Sequence, residues 1–126
     1  MKAFTSIEQS KKLSEILPLE SADMCFVNDG TSIKIDANPY NTRKLMWKDV
    51  QLIPCWSLAS LLNYLRKIYF FPEIEADEHS VTMSINYYDE EEARLLAPVH
   101  NIKAKAESFI DACYELILKY HEQNIL

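Results

Sequence analysis

Apolar and polar positions alternate most regularly between Ser80 and Tyr88, where Val81, Met83, Ile85 and Tyr87 fall on one side and Thr82, Ser84, Asn86 and Tyr88 on the other. A period of two is that of a strand with one buried face. The clearest helical period lies earlier in the chain. Leu58, Leu61, Leu62 and Leu65 recur at i, i+3, i+4 and i+7, the stripe of a helix laid on a core. Ser57 stands at the N-cap of that helix, with Trp56 at N′ and Leu61 at N4, the two positions of a hydrophobic staple. Arg66 and Lys67 fall in its last turn, where cations suit the carbonyl end of the dipole. A further stripe, Phe109, Ala112, Cys113, Leu116, Ile117 and Tyr120, predicts another helix, with Ser108 and Asp111 placed as a capping box. Asp111, Glu115, Lys119 and Glu122 occupy its opposite face, and Glu115 and Lys119 form an i,i+4 pair in the favourable order.

The remaining elements follow from punctuation. Thr5-x-x-Glu8 and Ser6-x-x-Gln9 are overlapping capping boxes that open a helix running to about Leu17, where Pro18 ends it. The runs 23–27 and 32–36 flank Asn28-Asp29-Gly30 and read as a β-hairpin with Gly30 at the positive-φ position and Ile33 and Ile35 on one face. Residues 38–43 are turn-rich, and 44–49 fit either a short strand or irregular chain. Ile68-Tyr69-Phe70-Phe71, before Pro72, favours a strand, and the acidic segment after it reads as the hairpin connection to the alternating strand. Residues 89–97 suit a short helix capped by Asp89 or a loop. The sum is an α+β fold: a small antiparallel sheet built from hairpins, two to three helices packed on one face, and one domain over residues 1–126.

Composition narrows the function classes. With 126 residues, 48% of them hydrophobic and 25% charged, the chain can bury a core and is not of disordered composition. Its single glycine, Gly30, excludes the Gly-rich loops that cradle phosphates. A net charge of -6 disfavours phosphate-backbone binding. The acidic runs Glu73-Glu75-Asp77-Glu78 and Asp89-Glu90-Glu91-Glu92 read as solvated faces. Cys25, Cys55 and Cys113 are odd in number, lack a C-x-x-C pair and stand in apolar contexts, which predicts reduced, buried thiols. Met1 to Ser6 contains no apolar leader core, and no stretch approaches the roughly 20 apolar residues of a membrane span, so the expectation is a soluble, cytoplasmic protein without a membrane partner.

Candidate chemistry is sparse. Cys55 is the best placed thiol, two residues before a helix N-cap whose dipole lowers a thiol pKa, and His79 or His100 would have to serve as its base. The competing reading, of Cys55 as a small core residue beside Trp56 and both histidines on surface loops, is strongly preferred. His79, His100 and His121 are far apart in sequence and show no ligand spacing, so neither a metal nor another cofactor is expected. Arg43, Lys44 and Lys48 surround Trp47 and form the local basic cluster nearest an aromatic, a pattern that single-stranded nucleic acid would use. Tyr40 and Trp47 equally suit the anchors of a protein interface.

Three stretches, Ser21-Ala22-Asp23-Met24, Pro54-Cys55-Trp56-Ser57-Leu58-Ala59-Ser60-Leu61-Leu62 and Asp111-Ala112-Cys113-Tyr114-Glu115-Leu116-Ile117, resemble a group of small proteins carried by phage-like and other mobile elements of gut anaerobes. The resemblance implies an accessory role in that setting and no catalytic chemistry. The functional expectation is a non-enzymatic accessory protein acting through a protein partner or a second copy of itself, with Tyr40 and Trp47 at the binding surface. No small-molecule ligand is indicated. The alternatives are a nucleic-acid accessory using residues 40–48 and, behind it, a cysteine-dependent enzyme through Cys55.

Overall fold

A computed structural model of the chain describes residues 3–28, 30–37, 51–68, 72–87 and 100–122. Their order is α1 (Ile7–Ser14), a single 3-10 turn (Leu19–Ser21), β1 (Met24–Asn28), β2 (Ile33–Ala37), β3 (Gln51–Cys55), α2 (Leu58–Ile68), β4 (Glu73–Ala76), β5 (Val81–Tyr87), β6 (His100–Ala106) and α3 (Phe109–Glu122). The fold class is α+β, as the patterns predict. The strands, however, form two antiparallel sheets rather than one, in the orders β2-β1-β3 and β4-β5-β6. Correspondingly the chain divides into two compact units, Met1–Leu61 and Leu62–Leu126, with the division falling inside α2.

In the first unit α1 begins at the second of the two overlapping capping boxes. Ser6 Oγ accepts from Gln9 N at 3.2 Å while Gln9 Oε1 accepts from Ser6 N at 3.0 Å, so both halves of the box close. The helix ends at Ser14, short of Leu17, although the Leu17 N–H still reaches Leu13 O at 2.7 Å. The β1–β2 hairpin turns where Gly30 stands, with φ at +89° and its N–H 3.0 Å from Asn28 Oδ1. A side chain at that φ would be strained. Ile33 and Ile35 do share a face, but only Ile35 packs on the core and Ile33 is 52% exposed.

The strand β3 was not apparent in the sequence because Pro54 interrupts it. It pairs antiparallel with β1, Cys25 facing Pro54 and Phe26 facing Ile53. Lying at the sheet edge, it can carry a residue without an N–H. One face of the sheet brings Phe26, Ile53 and Cys55 against Phe4, Ile7, Met24 and Ile35, with the Phe4 and Phe26 rings edge-to-face at 6.1 Å. Helix α1 packs against β3.

In the second unit the alternating strand is β5, with Val81, Met83 and Ile85 buried. The acidic stretch is a strand and not a connection: Glu73–Ala76 pairs antiparallel with β5, and the turn comes later, where Asp77 accepts from the N–H groups of His79 and Ser80 at 2.7 and 2.8 Å. Residue 68 ends α2 instead of opening a strand, and 69–71 lie outside the described residues, as do 89–97. On the far side of β5, β6 alternates Ile102 and Ala104 inward with Asn101, Lys103 and Lys105 outward. Alanine has weak strand preference, which hides this period from a sequence reading. Helix α3 packs on β5 and β6 through Ile110, Ala112, Cys113, Leu116, Ile117 and Tyr120. Its cap is the expected one, Ser108 Oγ accepting from Asp111 N at 3.1 Å. Lys119 is turned away from the expected i,i+4 pairing, its ammonium donating to Lys103 O.

Trp56 is fully buried, as is Leu61, the burial that a staple requires. Replacement Trp56→Ala should therefore cost about 3 kcal/mol or more, the usual penalty for deleting a buried aromatic. Chemical denaturation measures it, and a loss below about 1 kcal/mol would remove the indole from the core.

Candidate functional site

The one candidate for nucleophilic chemistry among the described residues lies where β3 passes into α2. Cys55 is the last residue of β3, Trp56 and Ser57 make the corner, and Leu58 opens the helix. Phe4 and Thr5 run alongside this corner: Phe4 bridges Ser57, and Thr5 N donates to Trp56 O at 2.9 Å. Thr5 is thus not a helix cap. It is fully buried, and its hydroxyl accepts from Trp56 N at 3.1 Å, lies 2.8 Å from Ser10 Oγ and donates to Cys55 Sγ at 3.7 Å. The thiol in turn donates to Thr5 O at 3.5 Å. One proton arrangement satisfies every group: Ser10 O–H to Thr5 Oγ1, Thr5 O–H to Cys55 Sγ, and Cys55 S–H to the Thr5 carbonyl.

This surround keeps the thiol protonated. Burial pushes the Cys55 thiol up from its ordinary value, outweighing the opposite pull of the Thr5 and Ser10 hydroxyls, and the negative charge of Asp23 pushes the same way as burial. A catalytic cysteine needs a lowered pKa and a base in reach. The partners of Cys55 are hydroxyls and backbone groups, none of which is a base. His79 sits exposed in the β4–β5 turn, and the side chain of His100 is outside the described residues. Cys25 and Cys113 are buried thiols outside any disulfide too, and burial pushes Cys113 up to about 12. No group of three or more metal-ligating side chains occurs among the described residues.

The start of α2 is capped twice. Ser57 Oγ accepts from Ser60 N at 3.2 Å, as expected of an N-cap. Asp23 then clamps the cap itself, its carboxylate accepting from Ser57 N at 3.0 Å and from the Ser57 hydroxyl. A carboxylate is the charge that a helix N-terminus favours. Two residues earlier, Ser21 Oγ accepts from Trp56 Nε1 at 3.0 Å. The stretches 21–24 and 54–62 are therefore joined directly, and what joins them holds a corner of the fold together. Thr5, Ser10, Ser21 and Asp23 escaped the sequence reading as partners of this corner, since its contacts across 34 to 51 positions leave no local pattern.

Tyr40, Trp47, Arg43, Lys44 and Lys48, the sequence candidates for a binding surface, lie outside the described residues. A surface that the sequence reading did not single out is the outer face of the β4-β5-β6 sheet. Glu73 and Glu75 of β4 and Lys103 and Lys105 of β6 are exposed on it, while Ile74 and Ala76 share the other side with Met83 and Val81 and are exposed because β4 is the sheet edge. Asp77, at the end of β4, is held below the usual carboxylate range, chiefly by the His79 N–H and to a smaller degree by the charge of Lys105. The available signal was the short period of two in Glu-Ile-Glu-Ala and Lys-Ala-Lys-Ala. No helix among the described residues is long and apolar enough to cross a membrane.

With all three thiols shielded, iodoacetamide at neutral pH should label the folded protein slowly and label it fast only in denaturant. Rapid native labelling mapped to Cys55 would restore the enzyme reading. Comparison with known proteins found no matching family model, no matching curated protein and no matching solved structure.

Proposed function

We propose that the chain is a non-enzymatic accessory protein of the phage or mobile-element type, acting in the cytoplasm by binding another protein chain. The observation that carries this reading is the outer face of the second sheet. Helix α3 packs on one side of β5 and β6, and the opposite side presents Glu73, Glu75, Lys103 and Lys105 to solvent beside an edge strand exposed along its whole length. Such a face can contact a partner, and such an edge can accept one. The best placed thiol supports the same reading: Cys55 is buried, hydrogen-bonded to Thr5 and pushed up from its ordinary pKa by burial. Tyr40 and Trp47 are proposed as further anchors, because aromatic residues dominate interface energetics.

The test is affinity capture from cells that carry the gene, with wild-type protein beside Tyr40→Ala/Trp47→Ala and Glu73→Ala/Glu75→Ala variants. A specific partner retained by wild type and lost from at least one variant is the expected outcome. Identical captured sets for all three proteins would contradict it. Salt-sensitive binding to single-stranded oligonucleotides, lost on Tyr40→Ala/Trp47→Ala, would replace it with a nucleic-acid role.

A further inference from the structure

The outer face of the second sheet is sorted by charge, one sign to each edge strand. In register across the strands, Glu73 stands beside Ser84 and Ser84 beside Lys103; one step along, Glu75 stands beside Thr82 and Thr82 beside Lys105. Directly opposed residues of an antiparallel ladder project to the same side, so both rows lie on the face away from α3. Cross-strand ion pairs normally form between immediate neighbours. Here a hydroxyl strand is interposed, and with strands about 4.8 Å apart the Glu and Lys backbones in each row are separated by roughly 9.6 Å. Among the described residues no ion pair spans either row. The four charges are therefore held apart within the chain and available to a second one.

We infer that this face pairs with the same face of a second copy, about a two-fold axis parallel to the strands. That operation turns the face over and exchanges its edges, laying β4 of one protomer over β6 of its partner while keeping the rows aligned. Glu73 then meets the partner's Lys103 and Glu75 the partner's Lys105, and symmetry doubles both contacts. A two-fold axis along the rows would instead set β4 on β4, carboxylate against carboxylate, so the charge pattern selects one axis. Face-to-face sheets lie about 10 Å apart, a gap that a glutamate and a lysine span together.

Size sets the character of the association. Three strands are about 14 Å wide and the two rows about 7 Å apart, far less than the roughly 800 Å² per partner of a standard interface. Attraction between the charges has to supply what area does not, against a net charge of -6 on each copy. The dimer is consequently weak and sensitive to salt, since screening acts over about 10 Å at 0.1 M.

The inference rests on the reading of this face as an interaction surface, and sedimentation velocity over a concentration series tests it. At an ionic strength of about 0.02 M the mean mass should rise from 14.7 kDa towards twice that value, and at about 0.5 M it should return. Lys103→Glu/Lys105→Glu and Glu73→Lys/Glu75→Lys proteins should each be monomeric alone, and an equimolar mixture of the two should associate at least as strongly as wild type. Association of the mixture also shows that both variants are folded. A wild type that stays monomeric at low salt, or variants that fail to associate when mixed, would overturn the inference. Capture of a different protein, lost on Tyr40→Ala/Trp47→Ala, would leave the proposed function standing without it.

Discussion

The first unit depends on how the chain turns the corner from β3 into α2 without leaving a backbone group unsatisfied. Trp56 sits at the corner with its side chain fully buried, and its N–H and C=O have neither a helix nor a full ladder to enter. Thr5 satisfies both, with its hydroxyl accepting from the N–H and its own amide donating to the carbonyl. An unsatisfied buried group costs about 1–3 kcal/mol, so the pair is worth a sizeable fraction of the stability of a small domain. From this contact the rest of the unit follows. Phe4 is brought over Phe26, Ser6 is placed to cap α1, and Ser10 is drawn in to complete the hydroxyl cluster.

The same constraint keeps a cysteine before a helix N-terminus protonated. Position alone would favour a thiolate, because the helix dipole stabilises negative charge nearby. The dipole is already answered by the Asp23 carboxylate on Ser57, and the thiol is inside the hydroxyl cluster where ionisation would strand a charge. Burial wins over hydrogen bonding in setting its pKa.

Sequence patterns revealed those elements whose cause is local. Ser6 with Gln9, Ser57 before its leucine stripe, Ser108 with Asp111, and Gly30 in its turn each act within a few residues, and each is found where the spacing places it. The period of β5 was legible because Val, Met and Ile mark its buried side. Three strands were not. Pro54 conceals β3, glutamates conceal β4, and the alanines of β6 are too small to announce an inner face. Reading β4 as a connection, and assigning no strand to β3 or β6, made the two sheets look like one. The hydroxyl cluster and the charge rows were hidden for a different reason: each depends on strand register or on pairs distant in sequence, neither of which a local window contains. Tyr40 and Trp47, chosen for residue type and neighbouring charge, fall on residues whose structure is not described.

Native-state hydrogen exchange tests the central claim about this corner most directly. If the Thr5–Trp56 pairing organises the first unit, the amides of Thr5 and Trp56 should exchange as slowly as those of Phe26 and Val27 in the central strand β1, through the same global opening. Thr5 and Trp56 amides that exchange orders of magnitude faster than those of β1 would show a peripheral contact that opens on its own, and the account of the corner as the unit's organising constraint would be wrong.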